Sequence, residues 1–280
     1  MSISAKDVKH LRDITGAGMM DCKKALVESN GDVEGAIEVL RKKGQKLSAK
    51  RAEREANEGV VVALTSHNKN NGVVLRLSCE TDFVSKGEGF INLAKEFANI
   101  SLSKLPDSLD DLLALPYGEG ISIGEKVTEQ VGVIGEKIEI KEYDKIVTAA
   151  GEGQVLPYIH MGYRAGVIVA LNQEGPSFEE PGKNVAMQIA AMKPIAVDKK
   201  DVPQEIVDKE IEIGKELARN EGKPEAMLEK IATGRLNKFF KETTLLNQSY
   251  VKDSKQTIGS YLQGLSDGLT VTSFKHITLA

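Results

Sequence analysis

The turn between the first two helical segments is encoded by Thr15-Gly16-Ala17-Gly18-Met19-Met20-Asp21-Cys22-Lys23-Lys24-Ala25-Leu26. Gly16 and Gly18 predict a break here, because glycine adopts backbone conformations that end a helix. Neighbouring residues of a helix point about 100° apart, so one of Met19 and Met20 is expected at the surface, with Met19 the better fit to the core. An exposed thioether is flexible and suits adaptable contacts. The stretch therefore predicts a docking surface and no catalytic chemistry.

Three short helices are predicted around this turn, over residues 4–44. Ser4 is a suitable N-cap for the first helix, and Asp32 for the third. Gly44 fits a left-handed C-terminal cap of that third helix. We expect residues 1–55 to form an N-terminal three-helix module with a basic linker. The apolar face of the first helix is predicted from the spacing of Val8, Leu11 and Ile14.

The basic linker has two interpretations. Runs of charge are usually solvated faces, which favours a helical extension or linker. The alternative is RNA contact, which would make the chain a ribosome- or RNA-associated adaptor using residues 41–54. The basic residues are Arg41, Lys42, Lys43, Lys46, Lys50, Arg51 and Arg54.

The composition limits the possible partners. The chain has 280 residues, 41% of them hydrophobic, and a net charge of −4. A general nucleic-acid binder would carry a basic excess, so we expect no direct nucleic-acid partner. Apolar runs are too short to cross a bilayer, and the N-terminus lacks the apolar core of a signal peptide. We therefore expect a cytoplasmic protein without a membrane partner.

Motifs of catalysis and metal binding are missing from the sequence. It contains neither a Walker-type phosphate loop nor a Gly-x-Ser-x-Gly elbow. Cys22 and Cys79 stand far apart and are expected as buried free thiols. We therefore expect a binding protein without a cofactor, a metal site or catalytic residues. The four histidines also lack metal-ligand spacing: His10, His67, His160 and His276.

The middle of the chain predicts two related α+β subdomains. Alternating apolar residues predict a hairpin over 58–78, followed by a helix around 90–98. After a connection over 104–120, a helix near 122–133 and a strand near 136–148 complete the first subdomain, residues 56–150. A second hairpin over 156–172 and a helix over 185–192 begin the second. We assign this second subdomain to residues 151–200 and 242–280, and the fold class is α+β.

Residues 201–241 predict an inserted arm. Two charged helical segments flank Gly222-Lys223-Pro224, and proline suits the first turn of a new helix. An antiparallel helical hairpin with a thin apolar stripe is expected to pair with itself or with a partner subunit. A dimeric scaffold that uses this arm, from about residue 203, is a third possible function. The stripe comprises Ile206, Ile213, Leu217, Met227, Ile231 and Phe239.

The segment Cys79-Glu80-Thr81-Asp82-Phe83-Val84 follows the first hairpin and has two interpretations. In the structural one, a strand ends here and Phe83 lies in the core. In the functional one, an exposed loop presents a carboxylate beside an apolar wedge. Such a loop would disturb a polar site on another protein, because the ring displaces packing while the acid competes for a cation.

Several of these motifs together resemble bacterial elongation factor Ts. Residues 15–26 resemble the N-terminal signature of that family, and residues 79–84 resemble its second signature. Tyr158 to Gly162 with Gly166-Val167 is similar to the hairpin that begins the family's second core half. Ala191 to Pro194 is similar to a helix end of the family. The resemblance implies a UBA-like three-helix module, two antiparallel-sheet core subdomains and a coiled-coil arm.

The resemblance also implies a function. The chain would be a guanine-nucleotide exchange factor that binds elongation factor Tu in its GDP form, with possible dimerisation through the arm. Some members continue into a further helical module, which we expect to be absent because this sequence stops at Ala280. Met161 and Tyr163 stand where the family commonly has small residues. The implied docking residues are Gly16, Gly18, Met19, Met20 and His160, and those that intrude beside the partner's Mg²⁺ site are Thr81, Asp82, Phe83 and Val84.

Overall fold

A computed structural model of the chain describes residues 3–118 and 120–279. Residues 1 and 280, the outer limits of the predicted domains, lie outside the described residues, as does Glu119 in the predicted connection. In chain order the elements are α1 (Ala5–Thr15), α2 (Met19–Glu28), α3 (Val33–Arg51), β1 (Glu58–Thr65), β2 (Asn71–Cys79), α4 (Asp82–Ser85), α5 (Glu88–Lys104), α6 (Leu109–Ala114), α7 (Ile123–Ile134), β3 (Glu139–Val147), β4 (Gln154–His160), β5 (Ala165–Leu171), α8 (Glu179–Met192), α9 (Gln204–Asn220), α10 (Glu225–Thr243), β6 (Ser249–Tyr250), β7 (Asp253–Thr257), α11 (Ile258–Gln263) and β8 (Val271–Thr278).

The three N-terminal helices are confirmed. Ser4 caps α1 in a capping box with Asp7, and the Asp32 side chain accepts a hydrogen bond from the Gly35 amide at the start of α3. These bonds satisfy amides that the first helical turn leaves free. The module encloses a small core of Val8, Leu11, Ala17, Cys22, Ala25, Leu26 and Ala36.

Two predictions about this module are wrong. Met19 is 43% exposed, so it lies at the surface together with Met20, which is 65% exposed. Ile14 is also exposed, because α1 ends one residue later and the apolar face is completed by Val8 and Leu11 alone.

The interpretation of Gly44 as a helix cap is also wrong. Gly44 lies inside α3, which continues to Arg51. A Cβ atom at Gly44 would lie 2.9 Å from the carbonyl oxygen of Thr128, and one at Gly132 would lie 2.9 Å from the Gly44 Cα atom. The glycines therefore allow the backbones of α3 and α7 to come into contact.

Two three-stranded antiparallel sheets form the centre of the molecule. Their strand orders are β1-β2-β3 and β4-β5-β8. Helix α5 covers the outer face of the first sheet, and α8 covers that of the second. The inner faces pack together through residues that include Val61, Val74 and Ile168. The result is a helix–sheet–sheet–helix stack, in which the central strands β2 and β5 are buried on both faces.

This architecture confirms the α+β class and both predicted hairpins. Helix α6 was not predicted and occupies part of the predicted 104–120 connection. The small β6-β7 hairpin before α11 was also not predicted. The predicted boundaries between the subdomains stay predictions.

The predicted helical hairpin is present as α9 and α10. The two helices pack on each other, with Gly214 of α9 close to Ala232 of α10. A small cluster of Ala196, Val202 and Phe240 joins the base of the hairpin to the second half of the molecule. Within the described residues, no helix is both long and apolar enough to cross a membrane.

Candidate functional site

A single helical turn projects from the first sheet where β2 ends. This turn is α4, and Thr81 is its N-cap residue. Phe83 is 88% exposed, so the interpretation that places it in the core is wrong. Asp82 is exposed beside it and forms an ion pair of 2.6 Å with Lys86. We call Asp82 and Phe83 the tip.

The residues on either side of the tip are held by the protein. Thr81 donates hydrogen bonds from its amide and its hydroxyl to the Glu136 carboxylate, at 3.0 and 2.6 Å. The Thr81 carbonyl accepts from the Cys79 thiol at 3.2 Å. Val84 packs against the core beneath the first sheet. Two fixed residues thus flank two exposed ones.

The charges at this site are set by its hydrogen bonds and burial. The hydrogen bond from Lys86 lowers the pKa of Asp82 below its usual 3.8, so Asp82 is an anion at neutral pH. Burial raises the pKa of the Cys79 thiol to about 12, so this sulfur stays protonated and is a poor nucleophile. Among residues 3–118 and 120–279, no group of three or more acidic, histidine or cysteine side chains is arranged to hold a metal ion.

Glu80 connects the base of the tip to the N-terminal region. Its carboxylate accepts hydrogen bonds from Arg51 at 2.5 Å, from the Lys137 amide at 2.6 Å and from Arg54 at 3.1 Å. Burial by itself raises the pKa of Glu80, but the bonds from Lys137, Arg51 and Arg54 together lower it. Glu80 therefore remains charged and joins three segments of the chain.

The N-terminal turn presents its methionines on a rigid backbone. Gly16 has a left-handed conformation (φ of 70°) at the end of α1, and Gly18 is the extended N-cap residue of α2. The Thr15 hydroxyl donates to the Leu11 carbonyl at 2.8 Å and accepts from the Ala17 amide at 3.3 Å. These bonds fix the angle between the helices and leave both methionines exposed.

The turn between β4 and β5 carries His160. This histidine is exposed, and its Nδ1 atom lies 3.1 Å from the Tyr158 hydroxyl. Met161 beside it is exposed, whereas Tyr163 packs against the first core with Lys95 over its ring at 5.4 Å. The turn is therefore anchored on the first half of the molecule.

A cleft brings this turn and the tip together. Thr81, Asp82 and Lys86 line one side, and Gly162, Tyr163 and Arg164 line the other. The second half thus meets the first beside the tip. Residues 16–20 do not contribute to the described lining of this cleft and form a separate surface.

Comparisons with known proteins identify the family. The family model described as Elongation factor TS matches residues 80–280. The chain belongs to the elongation factor Ts family. Elongation factor Ts of Cytophaga hutchinsonii is 52% identical over 280 residues, covering 100% of this chain and 99% of the relative. The protein of that name from Christiangramia forsetii is 48% identical over 277 residues, covering 99% and 98%. These matches confirm the resemblance expected from the motifs.

The basic linker of this elongation factor Ts family member is largely paired with acids. Arg41 lies 2.8 Å from Glu129, and Lys43 lies 2.5 Å from Asp21. Arg51 and Arg54 bind Glu80, as described above. Lys42 also pairs with Glu38 at 2.8 Å, so five of the seven basic residues have acidic partners within the fold, and the adaptor interpretation gains no support.

Sequence reasoning missed several residues that shape the site. Glu80 lies inside the second motif, residues 79–84, but the sequence does not indicate that it binds Arg51 and Arg54. Glu136 comes from the connection between α7 and β3, 55 residues from Thr81, and carries no local signal. The sequence marks Tyr163 only as unusual for the family, because its packing against the first core depends on the fold.

Proposed function

We propose that this chain is a guanine-nucleotide exchange factor that binds elongation factor Tu in its GDP form and promotes GDP release. The observation that carries the proposal is the tip, which presents an aromatic ring that is 88% exposed and an ionised carboxylate on a fixed base. Its relatives named Elongation factor Ts support the same assignment.

The tip acts on the partner's Mg²⁺ site. Mg²⁺ requires oxygen ligands in near-ideal octahedral geometry, so small displacements of its surroundings weaken its binding. Phe83 displaces packing beside the ion, and the Asp82 carboxylate competes for it or for its ligands. Losing the ion leaves the charge of the GDP phosphates uncompensated, and GDP dissociates. Thr81 and Val84 support the tip during this contact.

The free energy for this change comes from docking. Coupling between two ligands is reciprocal, so a factor that weakens GDP must bind the nucleotide-free partner more tightly. A shift of about 10⁴-fold requires roughly 5.5 kcal/mol of differential binding. One wedge residue cannot supply this, and a broad surface must contribute. We assign that surface to Gly16, Gly18, Met19, Met20 and His160.

The remaining features fit accessory roles. We assign the N-terminal helices to a UBA-like docking module and α9–α10 to a coiled-coil arm. Ile213, Leu217 and Met227 are exposed on this arm, which favours its use in self-association as a homodimer. The protein acts in the cytoplasm, where its partner works.

Release of fluorescent GDP from purified elongation factor Tu tests the proposal. Adding the chain with excess unlabelled nucleotide is expected to accelerate the loss of fluorescence strongly. A release rate equal to the spontaneous one, at saturating concentrations of correctly folded chain, would overturn the proposed function.

A further inference from the structure

Residues 80–81 and residues 136–137 lie below the tip, and each segment has a carboxylate that accepts hydrogen bonds from the other. The Glu136 carboxylate accepts from the amides of Glu80 and Thr81, at 3.1 and 3.0 Å, and from the Thr81 hydroxyl at 2.6 Å. In return, the Glu80 carboxylate accepts from the Lys137 amide at 2.6 Å. We call these four bonds the clasp.

The clasp lies where the backbone pairing between β2 and β3 ends. The last described backbone pair between β2 and β3 on this side is Ser78 with Glu139. Beyond it the strands separate, and the amides of residues 80 and 81 need other acceptors. The clasp provides them, so side chains continue the sheet up to Thr81, the N-cap residue of α4.

A second set of bonds ties the clasp to the N-terminal region. The Lys137 ammonium donates to the carbonyls of Ala52 and Arg54, at 3.1 and 3.0 Å. Together with the bonds from Arg51 and Arg54 to Glu80, these contacts join the end of α3 to the base of the tip. The orientation of the tip is thereby fixed relative to the docking module.

We propose that Glu136 is a positioning residue for nucleotide exchange, which holds the tip in its projecting orientation through Thr81 and Glu80. This inference rests on the proposed function. Glu136 is half-buried and does not line the cleft beside the tip in the described structure, so it acts through the residues that it holds. Hydrogen bonds to a charged group are stronger than those between neutral groups, which suits a carboxylate for this role.

Three substitutions separate positioning from other effects. Glu136→Ala removes every acceptor of the Glu136 side chain. Glu136→Gln keeps one oxygen for the two amides and offers an NH₂ group to the Thr81 hydroxyl, so it retains most of the clasp. Glu139→Ala is the control, because Glu139 is an acid three residues away whose one described ion pair is with Lys137. Without Glu139, the Lys137 ammonium keeps its acceptors on Ala52 and Arg54, and the Lys137 amide keeps its bond to Glu80.

The first readout needs only the free protein. The chain contains no tryptophan, so Phe83→Trp introduces a single indole at the tip, which can be excited at wavelengths that tyrosine does not absorb. In this background we expect Glu136→Ala to increase the rapid local motion of the indole in time-resolved anisotropy, whereas Glu136→Gln and Glu139→Ala keep it close to the background level. Circular dichroism establishes that each variant is folded.

The second readout uses chains with Phe83 intact. Glu136→Ala is expected to lower the maximal rate of GDP release roughly tenfold to a hundredfold, the range for losing hydrogen bonds to a charged group. Its affinity for elongation factor Tu should change much less, and Glu136→Gln should restore most of the rate.

Several results would overturn the role of Glu136. These are unchanged indole motion in folded Glu136→Ala, no rescue by glutamine, or an equal loss of rate for Glu139→Ala. If the unmodified chain does not accelerate GDP release from elongation factor Tu, the proposed function is wrong. The anisotropy measurement then still decides whether Glu136 positions the tip.

Discussion

Thr81 and Phe83 are two residues apart and have opposite surroundings. Thr81 is bound by Glu136 through its amide and hydroxyl, whereas Phe83 has almost no contact with its own protein. An exposed phenylalanine side chain does not contribute burial free energy to folding. That free energy becomes available only when a partner covers the ring. At the residue scale, the site therefore combines a residue that is held in place, Thr81, with an aromatic ring, Phe83, that is free to contact a partner.

The Glu80 carboxylate should give part of the stability a defined pH dependence. Its folded-state pKa lies below the usual 4.5. The charged form therefore stabilises the fold above about pH 4.5, and this contribution is lost as the pH falls through the folded-state pKa. We expect Glu80→Gln to be less stable than the parent at neutral pH and the difference to shrink in acid.

Urea unfolding of both chains between pH 7 and about pH 3 measures this difference directly, because other carboxylates titrate equally in the two proteins. A difference that stays constant across the whole range would contradict the assigned role of the Glu80 charge.

At the element scale, the contact between α3 and α7 joins the N-terminal module to the first core. Glycine normally weakens a helix interior, so its presence in both helices needs a compensating gain. The gain here is close approach, since a Cβ atom on either Gly44 or Gly132 would meet backbone at 2.9 Å. Arg41 and Glu129 reinforce the same contact with an ion pair.

Gly44→Ala is therefore expected to destabilise the protein, against the usual effect of this change in a helix. The added methyl group forces the helices apart, at a cost of about 1–3 kcal/mol typical of overpacking. Gly234→Ala in α10 is the matched control, because nothing lies within 4 Å of a Cβ atom there. That change should stabilise by about 0.5–1 kcal/mol.

The free energy of unfolding in urea distinguishes the two glycine variants. Opposite signs for Gly44→Ala and Gly234→Ala are expected. A Gly44→Ala protein that is as stable as Gly234→Ala would show that α3 and α7 do not need this close approach.

Elements were predictable where their signals are local. Caps such as Ser4 and Asp32, the alternation in β1 and the break before α10 all depend on residues within a few positions. Gly44 was misinterpreted because the reason for it is Gly132, which lies in another element. The prediction for Met19 is wrong because the small core of the three-helix module covers neither methionine.

At the scale of the whole molecule, the two sheets place the tip beside the turn that carries His160. Their inner faces share one apolar core, and Gly166 allows the sheets to approach, since a Cβ atom there would lie 2.8 Å from Val61. The exposed tip could be anticipated from the second motif. The cleft, the clasp and the anchoring by Tyr163 could not, because each depends on segments that only the complete fold brings together.

Ile168→Ala tests whether the two halves form one cooperative unit. Ile168 is fully buried between the sheets, so the cavity should cost about 2–5 kcal/mol. If the shared core unites the halves, the lower stability appears in a single unfolding transition seen equally by circular dichroism and tyrosine fluorescence. Separate transitions would show that the halves fold independently.

The central claim is that rapid nucleotide release requires the supported, exposed ring of Phe83, which docking brings to the partner's Mg²⁺ site. Its most direct test compares Phe83→Ala with Val147→Ala, which truncates an exposed apolar residue at the end of β3, 57% accessible. Both surface changes should alter stability by no more than about 0.5 kcal/mol. Covering a phenylalanine contributes about 1.5–3 kcal/mol, so its loss should slow exchange about tenfold or more.

Stopped-flow release of fluorescent GDP from elongation factor Tu is the deciding measurement, with each variant at saturating concentration. We predict that Val147→Ala matches the parent chain and that folded Phe83→Ala loses most of the acceleration. Full acceleration by Phe83→Ala would contradict the account.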